Sequence, residues 1–198
     1  MFILRYSKAS PYARKVRIAA DVCGLSNLVS IKETDTKDPT NHLRDENPLG
    51  KIPVLILEDG TALYDSRVII DYLDDYSGGG RLIPQDAKRK FEALKNQSLG
   101  DGINDAALII RHEIAVRRPE LRDDDFILYQ QEKIDRALKA LVKSPPQGPL
   151  DIGHISVACA LGYLDLRFEG NWRKASPSLV DWLAAFSIEA PSFKETAL

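Results

Sequence analysis

Three short stretches carry side chains able to act on a small polar molecule: Ser10-Pro11, Lys51-Ile52-Pro53 and Asp65-Ser66. Serine is a preferred helix N-cap and proline suits the first helical position, so Ser10-Pro11 marks a helix start. As a cap alone, Ser10 contributes about 1 kcal/mol. The same hydroxyl sits at the positive end of a helix, where it can also donate a hydrogen bond to an anion such as a thiolate. Asp65-Ser66 marks a second helix start of the same kind. Pro53 can open an edge strand, and Lys51 reads first as a solvated surface lysine.

Other reactive side chains are poorly placed for chemistry. Cys23 lies among Ile18, Ala19, Ala20 and Val22, and Cys159 lies within Val157-Ala158-Cys159-Ala160-Leu161. Both read as small buried apolar residues, and two cysteines make no disulfide framework. His42, His112 and His154 have no metal-ligand spacing with each other or with the cysteines, so no metal is expected. A net charge of -2 and a pI near 6.0 give no global attraction to nucleic acid or acidic membranes. The runs Arg117-Arg118 and Asp123-Asp124-Asp125 read as solvated surface. No stretch approaches the ~18 apolar residues of a membrane span, and Met1-Phe2-Ile3-Leu4-Arg5 does not resemble a signal peptide. A soluble, cytoplasmic protein is expected.

The elements that must position these residues alternate in the first eighty positions. Phe2-Ile3-Leu4-Arg5-Tyr6 suits a buried strand, and Val16, Ala19, Ala20 and Cys23 then form a helical stripe that stops at Gly24. Val29 and Ile31 alternate with polar residues as a second strand, and Thr34 to Asn47 is polar with room for one short helix. The run ending in Val54-Leu55-Ile56-Leu57 is a strand. Asp59-Gly60 predicts a two-residue hairpin turn into Thr61-Ala62-Leu63-Tyr64. After Asp65-Ser66, Ile69, Leu73 and Tyr76 continue as a helical stripe. Ser77-Gly78-Gly79-Gly80 to Pro84 reads as an interdomain linker. Beyond it only helices are expected, over Asp86–Ile114, Asp123–Val142, Ile152–Phe168 and Leu179–Ile188, with Gly100 and Gly102 able to bend or break the first.

This order, with a serine at the first helix's start, resembles the glutathione transferases. Ser10-Pro11-Tyr12 is similar to the Ser-Pro-Phe of the tau class and the Cys-Pro-Phe of the omega class. Asn47-Pro48-Leu49-Gly50-Lys51-Ile52-Pro53-Val54-Leu55 resembles the family's Asn-Pro-x-Gly-Lys-(Val/Ile)-Pro-x-Leu segment, and Asp65-Ser66 stands where the family has Glu-Ser or Asp-Ser. Ala158 to Phe168 and the closing Leu179, Trp182 and Pro191-Ser192-Phe193 resemble bacterial members. One departure is the Ser/Thr-x-x-Asp box that opens a helix of the second domain: here it reads Asp151-Ile152-Gly153-His154. Asp151 still caps, while His154 is expected to reciprocate less well than a carboxylate.

The resemblance implies an α/β thioredoxin-like N-terminal domain over 1–77 and an all-α C-terminal domain over 85–198. It implies a transferase that joins the glutathione thiolate to a small, mostly apolar electrophile, with glutathione as cosubstrate, no cofactor, and a homodimeric state. Ser10 is then the catalytic residue. A free thiol has a pKa of about 8.5, and lowering it by two pH units takes roughly 2.7 kcal/mol, within reach of a helix terminus and one hydroxyl. The Ile52-Pro53 bond would be cis, turning the Ile52 backbone toward the cysteinyl unit like an added strand. Ser66 and nearby backbone N–H groups would hold the γ-glutamyl carboxylate, Asp65 would face its ammonium, and Lys51 would suit the glycyl carboxylate. Two other readings compete. A glutathione-dependent disulfide reductase needs a cysteine where Ser10 stands, and Cys23 lies roughly 20 Å further along the helix. A non-catalytic interaction module of this fold is the other, and the joint presence of Ser10, Lys51, Pro53, Asp65 and Ser66 argues against it.

Overall fold

A computed structural model describes residues 1–198. It divides into two compact units, Met1–Phe91 together with Ala190–Leu198, and Glu92–Glu189.

The first unit is built on a four-stranded sheet: β1 (Phe2–Tyr6), β2 (Val29–Glu33), β3 (Val54–Ile56) and β4 (Ala62–Leu63), in the order β2-β1-β3-β4. β1 pairs parallel with β2 (Leu4 opposite Ile31) and antiparallel with β3 (Leu4 opposite Leu55), and β3 pairs antiparallel with β4. Parallel pairing of β1 and β2 demands a crossover, which α1 (Pro11–Val22) supplies. The sheet, α1 and α3 (Ser66–Tyr76) make a thioredoxin-like α/β fold. Its core is Leu4, Val16, Ile18, Ala19, Leu55, Ile69, Ile70 and Leu73, all fully buried. Each such aliphatic side chain of valine size or larger stabilises by about 1.5–3 kcal/mol through removal from water.

Three local features differ from expectation. The hairpin at Asp59-Gly60 is a three-residue loop. Gly60 N–H donates to Leu57 O at 3.1 Å, Leu57 N–H to Thr61 O at 2.8 Å, and Gly60 takes φ +87°. That is a turn followed by a left-handed glycine, the usual alternative to the two-residue loop. The alternation in β2 does not mark a buried face, since Ile31 is 47% exposed on an edge strand paired with β1 alone. Residues 80–83 are not loose either. The buried Asp74 carboxylate accepts from the N–H groups of Gly80 (2.9 Å), Arg81 (2.9 Å), Leu82 (2.6 Å) and Ile83 (3.4 Å), and Leu82 is fully buried.

The last residues belong to the first unit. α9 (Ser192–Glu195) lies against α1. The Arg14 guanidinium sits 4.0 Å from the Phe193 ring centroid and donates to Phe193 O at 2.5 Å and to Thr196 Oγ1 at 3.2 Å.

The second unit is helical throughout. It comprises most of α4 (Ala87–Ala115), with α5 (Asp124–Lys143), α6 (Ile152–Phe168), the short α7 (Trp172–Ala175) and α8 (Pro177–Glu189). Gly100 and Gly102 do not break α4. A Cβ on Gly100 would lie 2.6 Å from the Ser156 carbonyl, so this glycine lets α4 and α6 approach backbone to backbone. The start of α6 is capped by Asp151, and His154 reciprocates only through a long contact, as expected of a residue that is not a carboxylate. Asp151 Oδ1 accepts from the N–H groups of Gly153 (2.9 Å) and His154 (3.2 Å), and His154 Nδ1 lies 2.8 Å from Oδ1 and 3.3 Å from the Asp151 backbone N. The 2.8 Å contact fits an Nδ1–H donating to the carboxylate, so the ring acts more on the side chain than on the backbone. Its outer face stacks on Trp182, whose Nε1–H donates to Pro146 O at 2.9 Å.

Candidate functional site

Ser10 occupies the N-cap of α1 in an extended conformation (φ -79°, ψ 115°), with Pro11 at the first helical position. Its Oγ accepts from Ala13 N–H at 3.2 Å, and its own N–H donates to Ser7 O at 3.1 Å across the turn that leaves β1. The cap uses Oγ as an acceptor only. The hydroxyl hydrogen is left to donate to an anion beside a helix end that carries roughly half a positive charge.

The segment before Pro53 is shaped by a residue to which the sequence reading gave no role. Asn47 is buried, its Nδ2 donating to Lys51 O at 2.9 Å and its Oδ1 accepting from Leu49 N–H at 3.0 Å. Gly50, at φ +61°, donates its N–H to Asn47 O at 2.8 Å and completes the turn. The helix that leads into this turn, α2 (Leu43–Glu46), is tied to the sheet by a paired contact. Arg5 on β1 donates through Nε to Glu46 Oε2 at 2.8 Å and through Nη2 to Glu46 Oε1. Asn at the head of the proline segment was the available signal, since a buried amide can serve both a carbonyl and an N–H in one turn.

Lys51 is exposed, Ile52 half-buried and Pro53 buried, and the Ile52-Pro53 bond is cis. The β1–β3 register ends at the Arg5–Val54 pair, so the Ile52 backbone stands outside the ladder. Asp65 caps α3, its Oδ1 accepting from Arg67 N–H at 2.9 Å, and Ser66 is the first helical residue, 3% exposed. The Tyr64-Asp65 bond is also cis. Ser10 and Ser66 therefore stand at the N-terminal ends of the two helices of the thioredoxin-like sheet, and Pro53 stands at the start of the strand between them.

The remaining reactive groups lie elsewhere. Cys23 caps the far end of α1 and is 5% exposed, and its burial pushes the thiol above its ordinary pKa. Cys159 is fully buried in α6. No group of three or more His, Cys, Asp or Glu side chains converges as a cation site. A cavity of about 300 Å³ in the helical unit, lined by Ile134, Leu138, Leu164, Phe168 and Trp172 among others, contains none of the residues singled out above.

Residues 9–76 match the family described as glutathione S-transferase, N-terminal domain, and residues 86–185 match glutathione S-transferase, C-terminal domain. An uncharacterized GST-like protein of Escherichia coli K12, YibF, is 33% identical over 180 residues, which is 88% of each chain. A glutathione transferase family member from Pseudomonas fluorescens Pf-5, solved with bound glutathione, is 40% identical with a TM-score of 0.90. That match covers 100% of this chain and 98% of the other. A glutathione S-transferase from Methylobacillus flagellatus KT, also solved with glutathione, is 38% identical with a TM-score of 0.92, covering 100% and 99%.

Proposed function

This chain belongs to the glutathione S-transferase family, and from that membership we propose a serine-type enzyme that conjugates glutathione to small, mostly apolar electrophiles. The observation that carries the proposal is the Ser10 cap, whose Oγ accepts from Ala13 N–H while its hydrogen remains to be donated. In this reading Ser10 and the end of α1 hold the sulfur as thiolate, and the thiolate attacks an electrophilic carbon and expels its leaving group. The Ile52 backbone pairs with the cysteinyl amide, next to Pro53. Ser66 and the first N–H groups of α3 take the γ-glutamyl carboxylate, Asp65 its ammonium, and Lys51 the glycyl carboxylate. The two bacterial relatives solved with glutathione support this assignment of the ligand. The enzyme would work as a cytoplasmic homodimer with glutathione as cosubstrate.

The test is a thermal titration with glutathione followed by an aryl-halide conjugation assay. Saturation at a hundred times Kd adds about 2.7 kcal/mol, which raises Tm by roughly 5–10 °C. No shift and no calorimetric heat at several millimolar would replace this reading with that of an interaction module. Binding without turnover would remove the conjugation step alone.

A further inference from the structure

The cavity of about 300 Å³ among α5, α6 and α7 is at the lower end of the sizes that hold small organic ligands. α5 presents Gln131, Ile134, Asp135 and Leu138 to it, spaced i, i+3, i+4 and i+7, the pattern of one helix face. α6 presents Leu164 and Phe168, one turn apart, and α7 adds the Trp172 indole. α4 contributes no lining residue, and neither does any residue assigned above to glutathione.

Its walls and its rim differ in chemistry. Ile134, Leu138, Leu164 and Trp172 are buried, whereas Asp135 and Asn171 are exposed and Gln131 is half-buried. The Trp172 ring is held in place, since its Nε1–H donates at 2.9 Å to Asp165 Oδ1, on a carboxylate that Arg173 also grips at 2.8 and 2.7 Å. Asp135 is the one charged residue lining the cavity, and it forms no ion pair. Its Oδ1 accepts at 2.9 Å from Gln131 Nε2, a neutral donor. Nearby cations are engaged elsewhere: Arg136 with Glu132 at 3.3 Å, Lys133 with Gln130 at 3.0 Å, and Arg173 with Asp165. Lys139, one turn after Asp135, does not pair with it either. Because Gln131 uses an N–H on the carboxylate, its carbonyl oxygen stays an acceptor next to Asp135 Oδ2.

We propose that this cavity binds a small aromatic ammonium compound. An ammonium carries three N–H donors and no acceptor, which suits a rim of carboxylate and amide oxygens. Phe168 and Trp172 take the aromatic body by stacked or edge-on contact, and an indole face attracts a cation beside it. The apolar walls supply most of the affinity. Asp135 is exposed, so its charge adds less and chiefly selects the sign of the ligand. An anion of the same shape would be repelled by Asp135, and a neutral molecule would gain nothing from it. The site lies wholly within Glu92–Glu189 and does not depend on glutathione chemistry.

The test uses the whole protein without glutathione and three probes of one shape: 2-phenylethylamine, the neutral 2-phenylethanol, and the anion 3-phenylpropionate. Calorimetry reads affinity, and the ¹H–¹⁵N signal of the Trp172 indole, assigned by its loss in Trp172→Phe, reads location. The amine is expected to bind and move that signal, the alcohol to bind more weakly, and the carboxylate weakest of all. Asp135→Asn keeps the shape and removes the charge. It should weaken the amine roughly threefold to tenfold and leave the alcohol unchanged. Ala175, an exposed lining residue, allows a blocking variant that spares the core: Ala175→Trp should abolish binding of all three. No amine binding up to about 50 mM would overturn the proposal. So would equal affinity for the alcohol, an unmoved Trp172 signal, or unchanged amine binding in Asp135→Asn or Ala175→Trp.

Discussion

At position 10 one oxygen is asked to serve two partners. It accepts from Ala13 N–H at 3.2 Å, and in the proposed reaction it donates to a thiolate. The roles are compatible because a hydroxyl has two lone pairs and one hydrogen. Ser10→Ala removes both, but the losses can be told apart. Loss of the cap should lower stability by about 1 kcal/mol, seen in urea unfolding. Loss of a hydrogen bond to a charged group, about 1.5–3 kcal/mol, should raise the pKa of bound glutathione by about 1–2 pH units. Thiolate absorbance would then appear at higher pH, and conjugation at neutral pH would fall by about ten- to a hundredfold. Ser10→Cys tests the converse. A cysteine at a helix N-terminus has a pKa of about 3.5–7.5, so it would itself be the thiolate. It should attack oxidised glutathione, forming a mixed disulfide and releasing one glutathione thiolate, and mass spectrometry would place the adduct at position 10. Full conjugation by Ser10→Ala would reduce Ser10 to a cap. The native cysteines offer no such route, since Cys23 and Cys159 are both buried and burial raises the Cys23 thiol.

Elements whose ends are written locally were legible in the sequence. Ser10-Pro11, Asp65-Ser66 and Asp151 each cap the helix they were expected to start, because a cap needs only side chains within a few residues of the N–H groups it serves. What escaped the reading depends on partners further away. The Gly-rich stretch after Ser77 has the composition of a linker, yet Asp74 gathers four backbone N–H groups from residues 80–83 and fixes it. Asn47 carried no role in the sequence, and its part in holding Lys51 O shows only once the chain returns to it. The continuity of α4 through Gly100 rests on the Ser156 backbone across from it. Asp74 gives the sharpest prediction at this scale. Asp74→Ala leaves four N–H groups with no acceptor and should cost about 3–5 kcal/mol in urea unfolding, the magnitude for removing one partner of a buried charged network. Asp74→Asn keeps one carbonyl oxygen as acceptor and should cost about half as much. Equal stability of the alanine variant and wild type would show that residues 80–83 contribute nothing to the fold.

For the whole molecule, the chain does not divide into two consecutive pieces. Residues 190–198 rejoin the unit that the N-terminal residues begin, and their anchor is Arg14 on α1. Arg14 makes three kinds of contact with that tail: its guanidinium over the Phe193 ring at 4.0 Å, a bond to Phe193 O at 2.5 Å, and one to Thr196 Oγ1 at 3.2 Å. Two of these reach backbone or Thr196, so only the first disappears when Phe193 is truncated. A double-mutant cycle can therefore isolate the stacking from the rest. Phe193, 9% exposed, should cost about 3–5 kcal/mol on truncation to alanine, chiefly through lost burial. Arg14→Ala should cost less, because it removes the ring contact and the hydrogen bonds to Phe193 O and Thr196 Oγ1 but little buried apolar surface. The coupling between them should be about 0.5–2 kcal/mol, the range of a cation–π pair that is partly desolvated. Arg14→Lys should recover only part of that coupling, since an ammonium cannot lie flat on the ring. Because the tail closes the unit that carries Ser10, Pro53 and Ser66, Phe193→Ala should lower the Tm without ligand while leaving the rise with glutathione concentration intact. Additive effects of Arg14→Ala and Phe193→Ala, with no coupling, would mean that the tail is held by burial alone and that Arg14 is incidental to it.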